Sequence, residues 1–260
     1  MVAKLNSDPH ADTTEDGFLG GALRLRQPRS GHRAGHDAVL LAAATSARGG
    51  DRVVEFGAGV GAAGLALARR IRSIELMLVD IDPELAELAR GNAALNAISA
   101  DVVVLDVTSG AEAFSAVGLT PDSVDVVLMN PPFNDAARHR PSPVHARTLA
   151  HRADETTLQG WIHSARRILK SGGALTLIWR ADELGEVLAA LSRGFGSLRI
   201  QPVHADVTKP AIRVLVRGIK GGKAPTNILA GLMLNLESGL PNKQAGEILA
   251  GKGALPMASP

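Results

Sequence analysis

The stretch Val53-Val54-Glu55-Phe56-Gly57-Ala58-Gly59-Val60-Gly61 constrains this chain most. It reads as a short buried strand that passes through a glycine turn into a helix. Glycine tolerates the positive φ such a turn demands and lets a ligand approach the backbone closely. The helix start adds free backbone donors. From Asp51 onward, short apolar runs alternate with helical patterns. Strands are predicted over 52–56, 75–80, 102–105, 124–129, 173–179, 198–203 and 212–217. Helices are predicted over 61–71, 83–96, 110–117, 156–170 and 182–193. The alternation implies an α/β fold, a mostly parallel sheet with helices on both faces. Upstream, Gly35 to Ala47 reads as a further helix, and Ala22 to Arg26 alternates as a short hairpin would.

At 260 residues the chain suffices for one sizeable α/β domain with additions. No run of about 18 apolar residues occurs, so no transmembrane helix is expected. Met1 to Asp16 is polar and has no apolar signal core, and residues 1–19 read as a flexible lead-in. The absence of cysteine excludes disulfides and Cys-ligated metal centres and fits a cytoplasmic protein. No His/Asp/Glu cluster stands at ligand spacing, so no metal is expected.

Open parallel sheets bind ligands beyond the carboxyl ends of their strands. Four informative residues stand at successive strand ends: Gly57, Asp80, Asp106 and Asn130. Asp80 can accept both hydroxyls of a ribose. Asp82, before Pro83, is placed to cap the helix that starts there. Asp106 can accept from an adenine amine, or it is a solvated turn acid.

Asn130-Pro131-Pro132-Phe133 ends the fourth strand. A rigid Asn-Pro-Pro turn offers two acceptors, the Asn130 side-chain oxygen and the Pro131 carbonyl. Phe133 offers a flat face in a chain with 3% aromatic residues and no tyrosine. Together they suit a planar group that carries an amine, such as a nucleobase. The glycines Gly59, Gly61 and Gly64 also fit a dinucleotide pattern, with Asp80 about 20 residues on, which leaves a nicotinamide cofactor open. Three features favour S-adenosylmethionine instead. Glu55 can anchor a cationic amino group, a helix precedes the first strand, and the Asn-Pro-Pro turn has no use in a dehydrogenase.

In combination these residues resemble class I S-adenosylmethionine-dependent methyltransferases, over roughly residues 20 to 218. Glu55 to Gly61 resembles their cofactor glycine motif, Asp80 and Ile81 the ribose-side residues, Asp106 the adenine-side acid, and Asn130 to Phe133 the amino-methyltransferase motif. A narrower resemblance lies in Phe18-Leu19-Gly20-Gly21, in Gly31-His32-Arg33-Ala34-Gly35-His36-Asp37, and in Lys209-Pro210-Ala211-Ile212-Arg213-Val214. These stretches are similar to bacterial tRNA adenine-N6 methyltransferases that act on a valine tRNA next to its anticodon. The resemblance implies a Rossmann-like seven-stranded sheet in the order 3-2-1-4-5-7-6, its last strand antiparallel. It implies S-adenosyl-L-methionine as cofactor, and tRNA as substrate. It also implies that the segment from Arg33 through Asp37 to Leu41 closes over the methionine end of the cofactor.

Residues 134–154 read as a long loop that carries Arg138, Arg140, Arg147 and Arg152, placed to hold RNA phosphates. The bland reading is a solvated surface. The domain expectation is therefore a lead-in over 1–19, a methyltransferase domain over 20–218 and a basic, Gly- and Pro-containing extension over 219–260. Two rivals stay open. The same motif serves enzymes that methylate rRNA guanine, DNA adenine or a release-factor glutamine, and a non-catalytic RNA-binding protein could retain the fold.

Overall fold

The computed structural model describes residues 13–30, 33–132 and 157–259. Its centre is a sheet built as the apolar runs dictate. The strands are β3 (Arg52–Phe56), β4 (Glu75–Asp80), β5 (Asp101–Val104), β6 (Val124–Met129), β7 (Leu169–Arg180), β8 (Phe195–His204) and β9 (Ala211–Lys220). Between them run α2 (Ala62–Arg70), α3 (Pro83–Leu95), α4 (Ala111–Ala116), α5 over 157–168, and α6 (Leu184–Leu191). α1 (His36–Ala44) precedes them all. Numbered along the chain, these seven strands stand in the order 3-2-1-4-5-7-6, and β9 is antiparallel to both of its neighbours.

Side chains on a strand alternate between faces, and the alternation splits the core in two. Val53, Leu76, Leu78, Val126 and Leu128 pack with α1 and α2 on one face. Val54, Met77, Val79, Val127 and Met129 pack on the other, with Phe114 and α5. Both faces are thus covered, as a parallel sheet requires. α3 begins where the sequence marks it: Asp82 accepts from the backbone N–H groups of Glu84 and Leu85, and Pro83 takes the first helical position.

The lead-in departs from the sequence-based expectation, and the segment after residue 218 gains a defined place with a helix at Lys243–Leu249. The lead-in does not extend to residue 19. Thr13–Phe18 is a strand, β1, paired antiparallel with β2 (Leu23–Pro28) through a tight turn over Leu19–Gly21. β1 is polar, so its pattern is weak; pairing holds it, together with Arg33, which donates to Thr14 Oγ1 and ion-pairs with Asp16. The segment after residue 218 also lies against the core. Short strands β10 (Asn227–Ile228) and β11 (Leu232–Met233) add to the free edge of β8. Helix α7 (Lys243–Leu249) and the turn Pro256–Ala258 then bury Ala245, Ile248, Leu255 and Met257 in the core that contains α1. Among the described residues, no helix is long and apolar enough to cross a membrane.

Candidate active site

The carboxyl ends of β3, β4 and β6 open onto one cleft of about 750 Å³. The glycine turn forms its floor. Gly57, Gly59 and Gly61 have φ of 62°, 54° and 84°. A Cβ on Gly57 would stand 2.4 Å from the Trp161 ring, whereas one on Gly59 would meet open space. Gly61 caps α2 and packs on Leu78 rather than lining the cleft.

Asp80 holds this turn in place. One carboxylate oxygen accepts the Gly59 N–H at 2.6 Å and the other accepts the Asp82 N–H at 2.9 Å. Asp106 Oδ1 accepts the Thr108 N–H at 2.8 Å and its hydroxyl at 2.7 Å. Glu55 is 4% exposed, and its Oε2 accepts the Gly64 N–H at 2.6 Å. Burial, joined by the nearby Asp80 charge, pushes its carboxyl up to about 8, although the Gly64 and Ala63 amides pull the other way. A carboxyl whose pKa burial raises so far, set in a cleft, is a candidate functional group.

Asn130 ends β6 with its Oδ1 buried and without a hydrogen-bond partner among the described residues. A buried acceptor left unsatisfied costs about 1–3 kcal/mol, and none of the described residues supplies this oxygen with a donor. Pro131 beside it is buried and Pro132 exposed. Across the cleft, Asp37 at the start of α1 pairs with Arg213 of β9, Oδ2 to Nε at 2.9 Å.

The structure therefore gathers Asp37, Glu55, Gly57, Gly59, Asp80, Ile81, Asp106, Asn130, Pro131 and Pro132 around one space. Arg33, expected there, does not line it. Its guanidinium donates to the Pro28 carbonyl and Thr14 and pairs with Asp16, fastening the hairpin instead. Phe133, Arg138, Arg140, Arg147 and Arg152 lie outside the described residues. Among the lining residues that the sequence did not mark as site residues are Trp161 of α5 and Arg213. Trp161 packs edge-on to Phe56, the residue before Gly57, with ring centroids 6.4 Å apart. Phe56 in the glycine stretch was the available hint that an aromatic neighbour was needed. Among the described residues no group of acids and histidines gathers as a metal site.

Comparison with known proteins agrees with this geometry. Residues 36–204 match the family model described as the methyltransferase small domain. A tRNA1(Val) (adenine(37)-N6)-methyltransferase of Porphyromonas gingivalis is 32% identical over 191 residues, covering 70% of this chain and 72% of that protein. A ribosomal RNA small subunit methyltransferase C of Stutzerimonas stutzeri is 32% identical over 107 residues, 41% of this chain and 29% of that protein. The crystal structure of a predicted O-methyltransferase of Agrobacterium tumefaciens superposes with a TM-score of 0.70 at 32% identity, covering 84% of this chain and 98% of that one. With a glycine turn, acids at successive strand ends and a matching family model across most of its length, the chain belongs to the methyltransferase small domain family.

Proposed function

We propose that this protein transfers a methyl group from S-adenosylmethionine to the exocyclic N6 amine of adenine in tRNA, at the position next to the anticodon. The observation that carries the reading is the buried Asn130 Oδ1, without a hydrogen-bond partner among the described residues, in the same cleft as the buried Glu55 carboxyl. The tRNA-modifying relative supports the substrate class.

The cleft residues fit the cofactor. Glu55 offers a carboxylate to a cationic amino group, Asp80 retains lone pairs for ribose hydroxyls, and the Oδ2 of Asp106, which accepts from no described residue, suits an adenine amine. When bound, S-adenosylmethionine supplies a methyl group already activated by its sulfonium charge.

The chain's own part is to hold the acceptor. An adenine amine is a weak nucleophile because its lone pair is delocalised into the ring. Asn130 Oδ1 and the Pro131 carbonyl each accept one amine hydrogen, which turns the lone pair out of the ring plane and toward the methyl group. Positioning of this kind removes much of a transfer barrier. The nitrogen's proton needs no strong base, since the methylated product loses it readily. Phe133 stacks on the base, a contact worth about 1–3 kcal/mol, and Arg138, Arg140, Arg147 and Arg152 hold phosphates.

Guanine-amine transfer is the second reading, favoured by the similarity to the rRNA methyltransferase. A hydroxyl acceptor is disfavoured, because a neutral amide such as Asn130 accepts a hydrogen bond but does not remove a hydroxyl proton. The test is methyl transfer from labelled S-adenosylmethionine to RNA from cells that lack this gene, followed by nucleoside mass spectrometry. N6-methyladenosine in tRNA is expected. Asn130→Ala is expected to abolish turnover, at least about 100-fold, with cofactor affinity near normal. Label in guanosine would transfer the reading to the second substrate, and no label in any RNA would overturn both.

A further inference from the structure

The N-terminal hairpin is docked to α3 by two side chains that imitate a neighbouring strand. Asn96 Oδ1 accepts the Arg24 N–H at 2.9 Å, and its Nδ2 donates to the Arg24 carbonyl at 2.7 Å. Asn92 repeats the pattern at Arg26, with bonds of 2.7 and 3.0 Å. The two repeats nearly match in length, since four residues along a helix rise about 6 Å and two along a strand about 6.8 Å. The edge of β2 away from β1 is thereby satisfied without another strand.

Asn92 has a further bond that Asn96 lacks. Its Nδ2 also donates to the carbonyl of Val60, at 3.0 Å, in the glycine turn that floors the cleft. Asn92 is fully buried, and both of its amide hydrogens are committed. The second donation of Asn96 goes instead to the Asn92 carbonyl, inside α3. One residue beyond Arg26, the buried Gln27 accepts the Ala34 N–H at 2.8 Å. Ala34 also lines the cleft, just before the chain enters α1. The route from Val60 through Asn92, Arg26 and Gln27 to Ala34 thus joins two parts of the cleft lining through the hairpin.

We propose that Asn92 is a positioning residue for the cofactor, and that the hairpin is the strut through which it acts. This rests on the reading of the cleft as an S-adenosylmethionine site. The glycine turn has three residues at positive φ, and such a turn, if unanchored, samples many conformations. Ordering it on binding would weaken affinity. Asp80 holds the Gly59 amide of this turn; Asn92 fixes the neighbouring Val60 carbonyl in advance and, through Gln27, sets its distance from the segment that enters α1.

Asn96 provides an internal control. Asn92→Ala and Asn96→Ala each remove one rung between hairpin and α3, but only the first releases Val60. The experiment is calorimetric titration of S-adenosylmethionine into the full chain, wild type and both variants, alongside thermal melting, KM and kcat. Both variants should melt earlier. Asn92→Ala should raise the Kd for S-adenosylmethionine about tenfold, with kcat at saturating cofactor close to wild type. Asn96→Ala should leave Kd within about twofold. If Asn92→Ala does not fold, Asn92→Ser, too short to reach both carbonyls, takes its place. An equal Kd change in the two variants, or an unchanged Kd in the Asn92 variant, overturns the inference. Failure of the wild type to bind S-adenosylmethionine is a separate outcome, which removes the cofactor reading and this inference with it.

Discussion

Glu55 is where the chemistry of a single side chain is most exposed to measurement. Its carboxyl titrates near 8 in the folded protein, against an ordinary value of 4.5, with burial the main cause. Between those two values the folded state holds a proton that the unfolded state has released. Stability therefore falls as pH rises from about 4.5 to about 8, and the contribution is fully present only below 4.5. A bound cation reverses the preference and draws the carboxyl into its ionised form. Cofactor affinity should then rise with pH up to about 8, and binding should release a proton. Calorimetry near pH 7 in two buffers of different ionisation heat measures that release directly. In Glu55→Gln both the proton release attributable to this group and the slope of stability with pH should disappear. The same pH profile in the variant and the wild type would remove Glu55 from the cofactor's amino group.

At the scale of the element, the glycine turn and α5 have to be built together. Gly57 and Gly59 share a left-handed backbone, so alanine at either costs about 1–2 kcal/mol from conformation alone. Only at Gly57 does the added methyl meet Trp161, at 2.4 Å. Gly57→Ala should therefore destabilise the fold by more than Gly59→Ala, and should alone change the emission of Trp161, one of two tryptophans in the chain. Equal denaturation midpoints and unchanged emission in both would show that α5 does not rest on this turn. β3, β4 and β6 were legible residue for residue because each is an apolar run bounded by turn residues and buried on both faces. The acids at the strand ends were legible for the same reason, since a parallel strand's end fixes where its next side chain stands. β1 was not: Thr-Thr-Glu-Asp-Gly-Phe carries no apolar alternation. Arg33 was misplaced because proximity in sequence to the segment entering α1 says nothing of the acid 17 residues earlier that claims it. The pairing of Asp37 with Arg213, 176 residues apart, is a product of sheet topology and has no local signal.

For the whole molecule, the last residues complete the core that carries α1 and hence one wall of the cleft. Leu255 donates its N–H to the Ala43 carbonyl at 2.8 Å and is 1% exposed. Met257 is fully buried, and its carbonyl, with that of Ser259, accepts from the buried Arg217 guanidinium at 2.7 and 2.6 Å. Burial lowers the Arg217 pKa, as does the neighbouring Arg199 charge, so these carbonyls stabilise a cation that its surroundings otherwise disfavour. A tail that only carried charge to a substrate would be indifferent to losing its apolar side chains. A tail that closes a core would not. Met257→Ala should cost about 2–5 kcal/mol in denaturant-induced unfolding. Leu240→Ala, at a position 64% exposed in the same segment, should stay within about 0.5 kcal/mol. Below its own melting transition the Met257 variant should bind cofactor nearly as the wild type does, because the side chain lies behind α1 and not in the cleft. A negligible stability change at Met257 would return residues 219–260 to the role of an appended basic extension, with α1 held by the sheet and α2.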